Sequence, residues 1–151
     1  MTKVRYLETF ISETGKTDFP VLTVMQPYAH MLLYGFKNYE YRNWRLPQKY
    51  IGEWILIHAS RLKTGNLFAV NPKTLEEFIF EIGSCLNLPN HAIIGAVKFD
   101  QPTDTDYVKY KFAWPVTDRV EFLPEIPDIK GKLRFWKYKI DLPTQINQQI
   151  N

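Results

Sequence analysis

The sequence predicts an α+β fold, a small β-barrel with two or more short helices packed at its ends. Several short apolar segments rich in β-branched and aromatic residues are spaced along the chain. Only two segments have helical periodicity, and clusters of Pro, Asp, Asn and Thr separate the later strands. Many short strands with few helices are typical of a small barrel whose ends are covered by helices.

The length and composition predict a single globular domain. The chain has 151 residues, of which 45% are hydrophobic, and it shows no internal repeat or linker. We therefore divide it into an N-terminal extension (1–20), one domain (21–142) and a polar C-terminal tail (143–151). The N-terminus lacks the apolar run of a signal peptide, and no window approaches eighteen consecutive apolar residues. We expect a cytoplasmic protein without a membrane partner.

The first part of the domain predicts a strand, a helix and two further strands. Val21–Met25 is a short apolar run typical of a buried strand. Pro27 suits the first turn of the following helix, and Gly35 suits its left-handed C-terminal cap. Asn38–Trp44 alternates as a strand does, and Trp54–His58 is apolar enough to be a central strand.

The second part of the domain predicts one helix and then a series of strands. The helix opens at Asn71–Pro72 and ends at Gly83, and its buried stripe consists of Leu75, Phe78, Ile79 and Ile82. The strand candidates are Ala92–Phe99, Tyr107–Val116, Val120–Phe122 and Leu133–Ile140. Turn-forming clusters separate them at 100–104 and 124–128.

Three ionisable residues form the main candidate for chemistry. Alternation places Glu40 and Arg42 on one face of the predicted strand, and Lys37 lies in the turn before it. Such a group can bind an anion or a polar ring, and a desolvated lysine could act as a base. The competing interpretation is a solvated ladder of charges on an exposed strand, which the spacing alone favours.

Aromatic residues surround this group and suggest a class of ligand. Tyr28, Tyr39, Tyr41, Trp44 and Trp54 are close to it in sequence. Rings that stack on bases, beside Lys and Arg that contact phosphate, are typical of single-stranded nucleic-acid binding. The formal net charge of +3 permits such a partner without requiring it. Core packing is the alternative, which we expect for Trp54 and which stays open for Tyr41 and Trp44.

Other reactive residues give weaker signals. His58 ends an apolar strand, where it would be either an acid–base group or a hydrogen-bonded structural residue. The single cysteine, Cys85, excludes an intramolecular disulfide and a cysteine-ligated zinc site. There is no Gly-rich phosphate loop and no His-rich metal motif. The sequence predicts neither a metal centre nor a bound cofactor.

Several short motifs follow one another along the chain. Leu22-Thr23-Val24-x-Gln26-Pro27-Tyr28-Ala29 precedes Gly35-x-Lys37-x-x-Glu40-x-Arg42. The later motifs are Ile55–Ser60, Ile94–Val97 and Gly131-x-Leu133-x-Phe135-Trp136. This ordered set, over roughly residues 21–140, resembles the ASCH domain, the activating signal cointegrator homology family of the PUA-like superfamily.

This resemblance implies a PUA-like barrel with a ligand cleft beside the first helix. It implies RNA, single-stranded nucleic acid or a nucleoside-type ligand as the partner. The residues expected at the site are Gln26, Lys37, Glu40, Tyr41, Arg42, Trp44, Arg45 and His58. We favour a binding module over an enzyme.

The alternative function is that of a small amidohydrolase acting on an acetylated or otherwise modified nucleoside, because some members of the family look like such enzymes. Lys37 would then be the catalytic base and Glu40 its partner. The chain departs from that pattern because Glu40 replaces the usual threonine and no glutamate follows in the Ile94–Phe99 strand. Ile51 also stands where an arginine commonly precedes the glycine.

Overall fold

The computed structural model describes residues 2–61, 76–80, 88–105 and 110–141. Across them the chain forms an α+β fold in which an eight-stranded sheet carries short helices. The predicted α+β class is therefore confirmed. Its strands are β1 (Lys3–Arg5), β2 (Asp18–Met25), β3 (Tyr39–Arg42), β4 (Ile55–Ser60), β5 (Ala92–Phe99), β6 (Thr103–Asp104), β7 (Phe112–Ile126) and β8 (Phe135–Lys139). Its helices are α1 (Leu7–Thr14), α2 (Tyr28–Tyr34) and the 3₁₀ turn η1 (Gln48–Tyr50), and residues 76–80 are also helical.

The strands follow the spatial order β1-β7-β5-β4-β2-β8. β1 runs parallel to β7 and β2 parallel to β4, whereas the other ladders of this series are antiparallel. The first residues of β7 also pair with β3 on one side and β6 on the other. Among the described residues no ladder joins β1 to β8, so the sheet is not closed by hydrogen bonds.

Two layers of apolar side chains cover the two faces of the sheet. Leu22 and Val24 of β2 pack with Leu32 and Leu33 of α2 in the first layer. Val21 packs with α1 in the second layer, where Leu7 and Phe10 are buried. Successive side chains of a strand point to opposite faces, so β2 contributes to both layers. β4 is buried on both faces, as predicted for a central strand.

The C-terminal strands differ from the prediction. β7 is one strand of 15 residues, whereas two strands separated by Thr117–Arg119 were expected. These polar residues stay in the ladder because β5 pairs with them, Val97 with Arg119 and Lys98 with Asp118. Parts of both predicted turns are also strand, namely Thr103–Asp104 and residues 124–126. Pairing with a neighbouring strand overrides the local preference of such residues for turns.

The N-terminal segment contains a helix that the sequence did not indicate. α1 is only eight residues long and buries only Leu7 and Phe10, a weak periodic signal. The predicted helix from Asn71 to Gly83 lies mostly outside the described residues, although 76–80 are helical and Phe78 is buried. Cys85 and residues 106–109 also lie outside them. No helix among the described residues is long and apolar enough to cross a membrane.

Candidate ligand-binding site

The motif around Lys37 folds as a helix end, a turn and a strand. α2 ends at Tyr34, and Gly35 follows in the left-handed conformation with a φ of 84°. Glycine adopts this conformation without the steric cost that a Cβ atom imposes. The backbone N–H of Lys37 then donates to the carbonyl of Met31 over 3.1 Å, and β3 begins at Tyr39. The capped helix therefore fixes the position from which the Lys37 side chain starts.

Lys37, Glu40 and Arg42 form one ion-pair network. Lys37 Nζ lies 2.7 Å from Glu40 Oε1, and Arg42 Nη2 lies 2.8 Å from Glu40 Oε2. The Glu40 side chain is 4% exposed, whereas those of Lys37 and Arg42 are 19% and 24% exposed. The carboxylate is therefore buried beneath two cations that reach the surface. This geometry rules out the fully solvated charge ladder as a description of these residues.

The charge of Glu40 depends on its two partners. Burial by itself raises the pKa of Glu40, but the charges of Lys37 and Arg42 and their hydrogen bonds outweigh it and hold that pKa below its ordinary value. The carboxylate is thus ionised at neutral pH. An ionised carboxylate can hold both cations in place because it accepts from each with a different oxygen.

Arg42 connects this network to β2. Its Nη2 atom also donates to the backbone carbonyl of Thr23 in β2 over 3.0 Å. Trp114 of β7 is the cross-strand partner of Glu40, so both side chains leave the β3–β7 pair on the same face. Trp114 is fully buried, and its Nε1–H has no hydrogen-bond partner in the described part of the chain. A buried donor without a partner is rare in proteins and is commonly satisfied by a bound water or ligand.

Tyrosine rings lie around Lys37. Its Nζ atom is 5.5 Å from the centre of the Tyr28 ring and 5.8 Å from that of Tyr41. The Tyr41 ring stacks on Tyr110 at 6.2 Å and lies 6.3 Å from Tyr39, which is 42% exposed. The cation thus stands beside a group of aromatic rings that continues to the surface.

Trp44 and Arg45 lie beyond the end of β3 and outside the ion-pair network. Trp44 is half-buried, with its ring centre 4.9 Å from Trp114 and 5.7 Å from Phe135. The Arg134 guanidinium lies 4.8 Å above Trp44. Arg45 is exposed, pairs with Asp104 at 3.5 Å and covers the Phe112 ring. Trp44 therefore packs with Trp114 and Phe135, whereas Arg45 belongs to a separate surface pair.

Gln26 is buried and bonded within the protein. Its Nε2 atom lies 2.7 Å from His30 Nδ1 and 2.8 Å from the Pro89 carbonyl. Its Oε1 atom accepts from the backbone N–H of His30 over 3.3 Å. Burial lowers the pKa of His30 to about 4, so the imidazole is neutral at physiological pH. The side chain of Gln26 thus fastens the start of α2 and does not reach the ion-pair network.

His58 takes part in a second hydrogen-bond network. Its Nε2 atom lies 2.6 Å from the Ile129 carbonyl, and its Nδ1 atom lies 3.3 Å from Thr23 Oγ1. Trp136 Nε1 also donates to Thr23 Oγ1 over 3.3 Å. Burial lowers the pKa of His58 and outweighs the hydrogen bond to the Ile129 carbonyl, which acts in the opposite direction. The side chain of His58 is therefore hydrogen-bonded within the protein, and Thr23 links it to Arg42.

Arg119 is a residue near the site that the sequence did not indicate. Its Nε atom donates to the Leu32 carbonyl over 2.8 Å, at the end of α2. Its Nη2 atom donates to Asn38 Oδ1 over 2.9 Å and to the Lys37 carbonyl over 3.3 Å. Burial lowers the pKa of Arg119, although Asp118 acts in the opposite direction. One guanidinium therefore holds both ends of the turn that carries Lys37, across more than 80 residues of sequence.

The structure thus brings together four of the predicted residues, Lys37, Glu40, Tyr41 and Arg42. Gln26, Arg45 and His58 lie outside the network. Trp44 contacts Trp114, the cross-strand partner of Glu40. No group of three His, Cys, Asp or Glu side chains suited to a metal ion occurs in the described segments. No protein-family model matches the chain, and a search of curated proteins also finds no match.

Proposed function

We propose that the chain is a binding module for RNA, single-stranded nucleic acid or a nucleoside-type ligand. The observation that carries this proposal is the pair of partly exposed cations, Lys37 and Arg42, held in place by the buried carboxylate of Glu40. Fixed side chains lose little further conformational entropy when a ligand binds. Two cations facing one carboxylate also leave a net positive charge, which suits phosphate oxygens or the acceptor edge of a base.

The neighbouring rings favour a ligand that contains a base. The Tyr39–Tyr41–Tyr110 group begins beside Lys37 and ends at an exposed ring. Stacking of one base on an aromatic side chain contributes about 1–3 kcal/mol, so one or two rings suffice for measurable affinity. Trp44 offers a separate ring, which packs against Phe135 of β8 and carries the Arg134 guanidinium above it.

We assign the fold of this module to the PUA-like barrels and its motif to the ASCH family. Support comes from the order of the motifs along the chain and from the strand order. β7 extends from the ladder with β3 to the ladders with β5 and β1, and α2 contacts β2, β4, β5 and β7. The cleft would then lie beside α2, next to the motif.

The amidohydrolase alternative has less support. A base at Lys37 would need a neutral amine with a lone pair directed at water. Its Nζ atom instead donates to an ionised, buried carboxylate 2.7 Å away. Incubation with acetylated and other acylated nucleosides tests this alternative, and release of acid that disappears in Lys37→Gln would establish it.

Binding of a single-stranded RNA oligomer, measured by fluorescence anisotropy, tests the binding proposal. The test variant is Lys37→Gln/Glu40→Gln/Arg42→Gln, because removing the cations alone would leave a buried carboxylate unpaired. We expect affinity to fall at least about tenfold and the salt slope to decrease by about 1.4, from two phosphate contacts at about 0.7 each.

The matched control is Lys130→Gln, which makes the same net change in charge on an exposed loop. It should retain affinity within about twofold. Unchanged affinity and an unchanged salt slope in the triple variant, with circular dichroism showing a folded protein, would overturn this site.

A further inference from the structure

A second cleft lies away from the Lys37 network. Its volume is about 520 Å³, within the range of small-molecule sites. It is formed by the end of α1, by η1 and by parts of β2, β5, β7 and β8. Five lysines line it: Lys3, Lys16, Lys49, Lys98 and Lys137. Along β2 it is lined by residues 18–20, and Pro20 is three residues from Thr23, or roughly 10 Å at about 3.3 Å per residue.

Ion pairing leaves a positive charge in this cleft. Two of the five lysines are paired, Lys3 with Asp118 at 3.7 Å and Lys16 with Glu53 at 3.3 Å. Three carboxylates also line the cleft, those of Glu13, Asp18 and Glu53. Glu53 is the partner of Lys16, and Glu13 accepts from Arg5 over 2.8 Å. Among the described residues the unpaired groups are therefore three ammonium groups and one carboxylate.

Those three ammonium groups belong to Lys49, Lys98 and Lys137. Lys49 Nζ lies 5.1 Å from the centre of the Tyr50 ring, and Lys98 Nζ lies 4.8 Å from that of Trp54. Contact with a ring face holds a cation near a surface without neutralising its charge. These two lysines are thus held at the cleft with their charge available to an anion.

Aromatic rings form the base of the cleft. The Trp54 ring packs against Phe10 at 5.6 Å and is partly exposed. Tyr50 is also partly exposed and packs against Phe135 at 4.6 Å. Partly exposed rings beside unpaired cations suit a ligand with a ring at one end and an anion at the other.

We propose that this cleft is a second binding site, which takes a nucleotide unit with its phosphate on Lys49, Lys98 and Lys137 and its base against Trp54 or Tyr50. The site is independent of the Lys37 network, because the two share none of their residues. A free nucleotide and the end of a single strand offer the same chemistry, and the experiment below separates them.

Isothermal titration calorimetry with adenosine diphosphate, inorganic pyrophosphate and a short oligoadenylate tests the proposal. The test variant is Lys49→Gln/Lys98→Gln/Lys137→Gln. The matched control is Lys111→Gln/Lys130→Gln/Lys132→Gln, which removes three exposed charges outside the cleft, one of them also seated on a tryptophan. Lys37→Gln/Glu40→Gln/Arg42→Gln separates this site from the proposed RNA site.

We expect adenosine diphosphate to bind the unaltered chain more tightly than pyrophosphate does, and the cleft variant to lose at least about tenfold in affinity. The control variant should stay within about twofold of the unaltered chain. The loss caused by the cleft substitutions should be as large in the Lys37→Gln/Glu40→Gln/Arg42→Gln background as in the unaltered chain, because the two sites share no residue. Binding of the oligomer at this site as well would identify a strand as the ligand, and binding of the diphosphate alone would identify a free nucleotide.

Either of two results would overturn the proposal. One is that neither adenosine diphosphate nor the oligomer binds the folded chain. The other is that the control variant weakens binding as much as the cleft variant, because the attraction would then come from the overall charge of the surface.

Discussion

Glu40 combines deep burial with a full negative charge, and two cations compensate for that burial. In solvent, water would solvate the charged carboxylate. At 4% exposure that solvation is lost, and Lys37 and Arg42 stabilise the charge instead. A carboxylate whose pKa is lowered in the folded state stabilises that state at a pH above its unfolded value of about 4.5. This contribution is lost as the pH falls through the lower, folded pKa.

We therefore predict that Glu40→Gln lowers the free energy of unfolding by roughly 3 kcal/mol at pH 7, as expected when a buried pair loses one partner. The difference between the variant and the unaltered chain should shrink as the pH is lowered from 5 to 3. Urea unfolding at several pH values measures both effects. Glu76→Gln, on an exposed helical residue, is the control and should change little. A constant difference across this pH range would contradict the assigned role of Glu40.

The sequence predicted which residues of the motif meet, but not what holds them there. Alternation placed Glu40 and Arg42 on the same face, and the structure joins them at 2.8 Å. The contacts of Arg42 with Thr23 and of Arg119 with the turn join residues far apart in sequence. Such contacts depend on strand pairing and register, which local patterns do not specify.

Among the elements, α2 and the turn after it show how local and long-range signals combine. Pro27 and Gly35 predicted both ends of this helix from local preferences alone, and the helix extends from Tyr28 to Tyr34. β7 was predicted poorly because its polar middle resembles a turn, yet it lies in a ladder with β5. Arg119 belongs to this polar middle, and its side chain binds the turn that carries Lys37. The polar residues that hid the strand in the sequence therefore also position Lys37.

We predict that Arg119→Met weakens the proposed RNA binding about three- to tenfold through the position of Lys37, since three acceptors lose a charged donor. Asn38→Ala removes one of these bonds and should have a smaller effect. Arg119→Lys keeps the charge but not the forked geometry, so it should restore affinity only in part. Anisotropy titrations of the three variants supply the comparison, alongside melting temperatures. Equal affinity in Arg119→Met and the unaltered chain would show that the turn needs no such support.

At the scale of the whole molecule, the N-terminal segment is part of the main core. β1 pairs with β7, and α1 places Phe10 against Phe19 at 5.2 Å and Phe122 at 5.0 Å. Few residues of α1 carry an apolar signal, so the sequence suggested an extension. α1 nevertheless covers the second layer of the core. The end of this helix also lines the second cleft, the one with five lysines.

We predict that Phe10→Ala destabilises the folded chain by about 3–5 kcal/mol, the usual cost of removing a buried phenyl ring. Phe10 is 2% exposed, whereas Phe80 is 88% exposed, so Phe80→Ala is a control with identical chemistry and should cost less than about 0.5 kcal/mol. Chemical unfolding monitored by tryptophan fluorescence gives both values, and Trp54, in contact with Phe10, reports on this layer directly. A single cooperative transition with a lower midpoint would show that the two layers unfold together. Similar stabilities for the two variants would mean that residues 2–20 contribute no more to the fold than an exposed surface does.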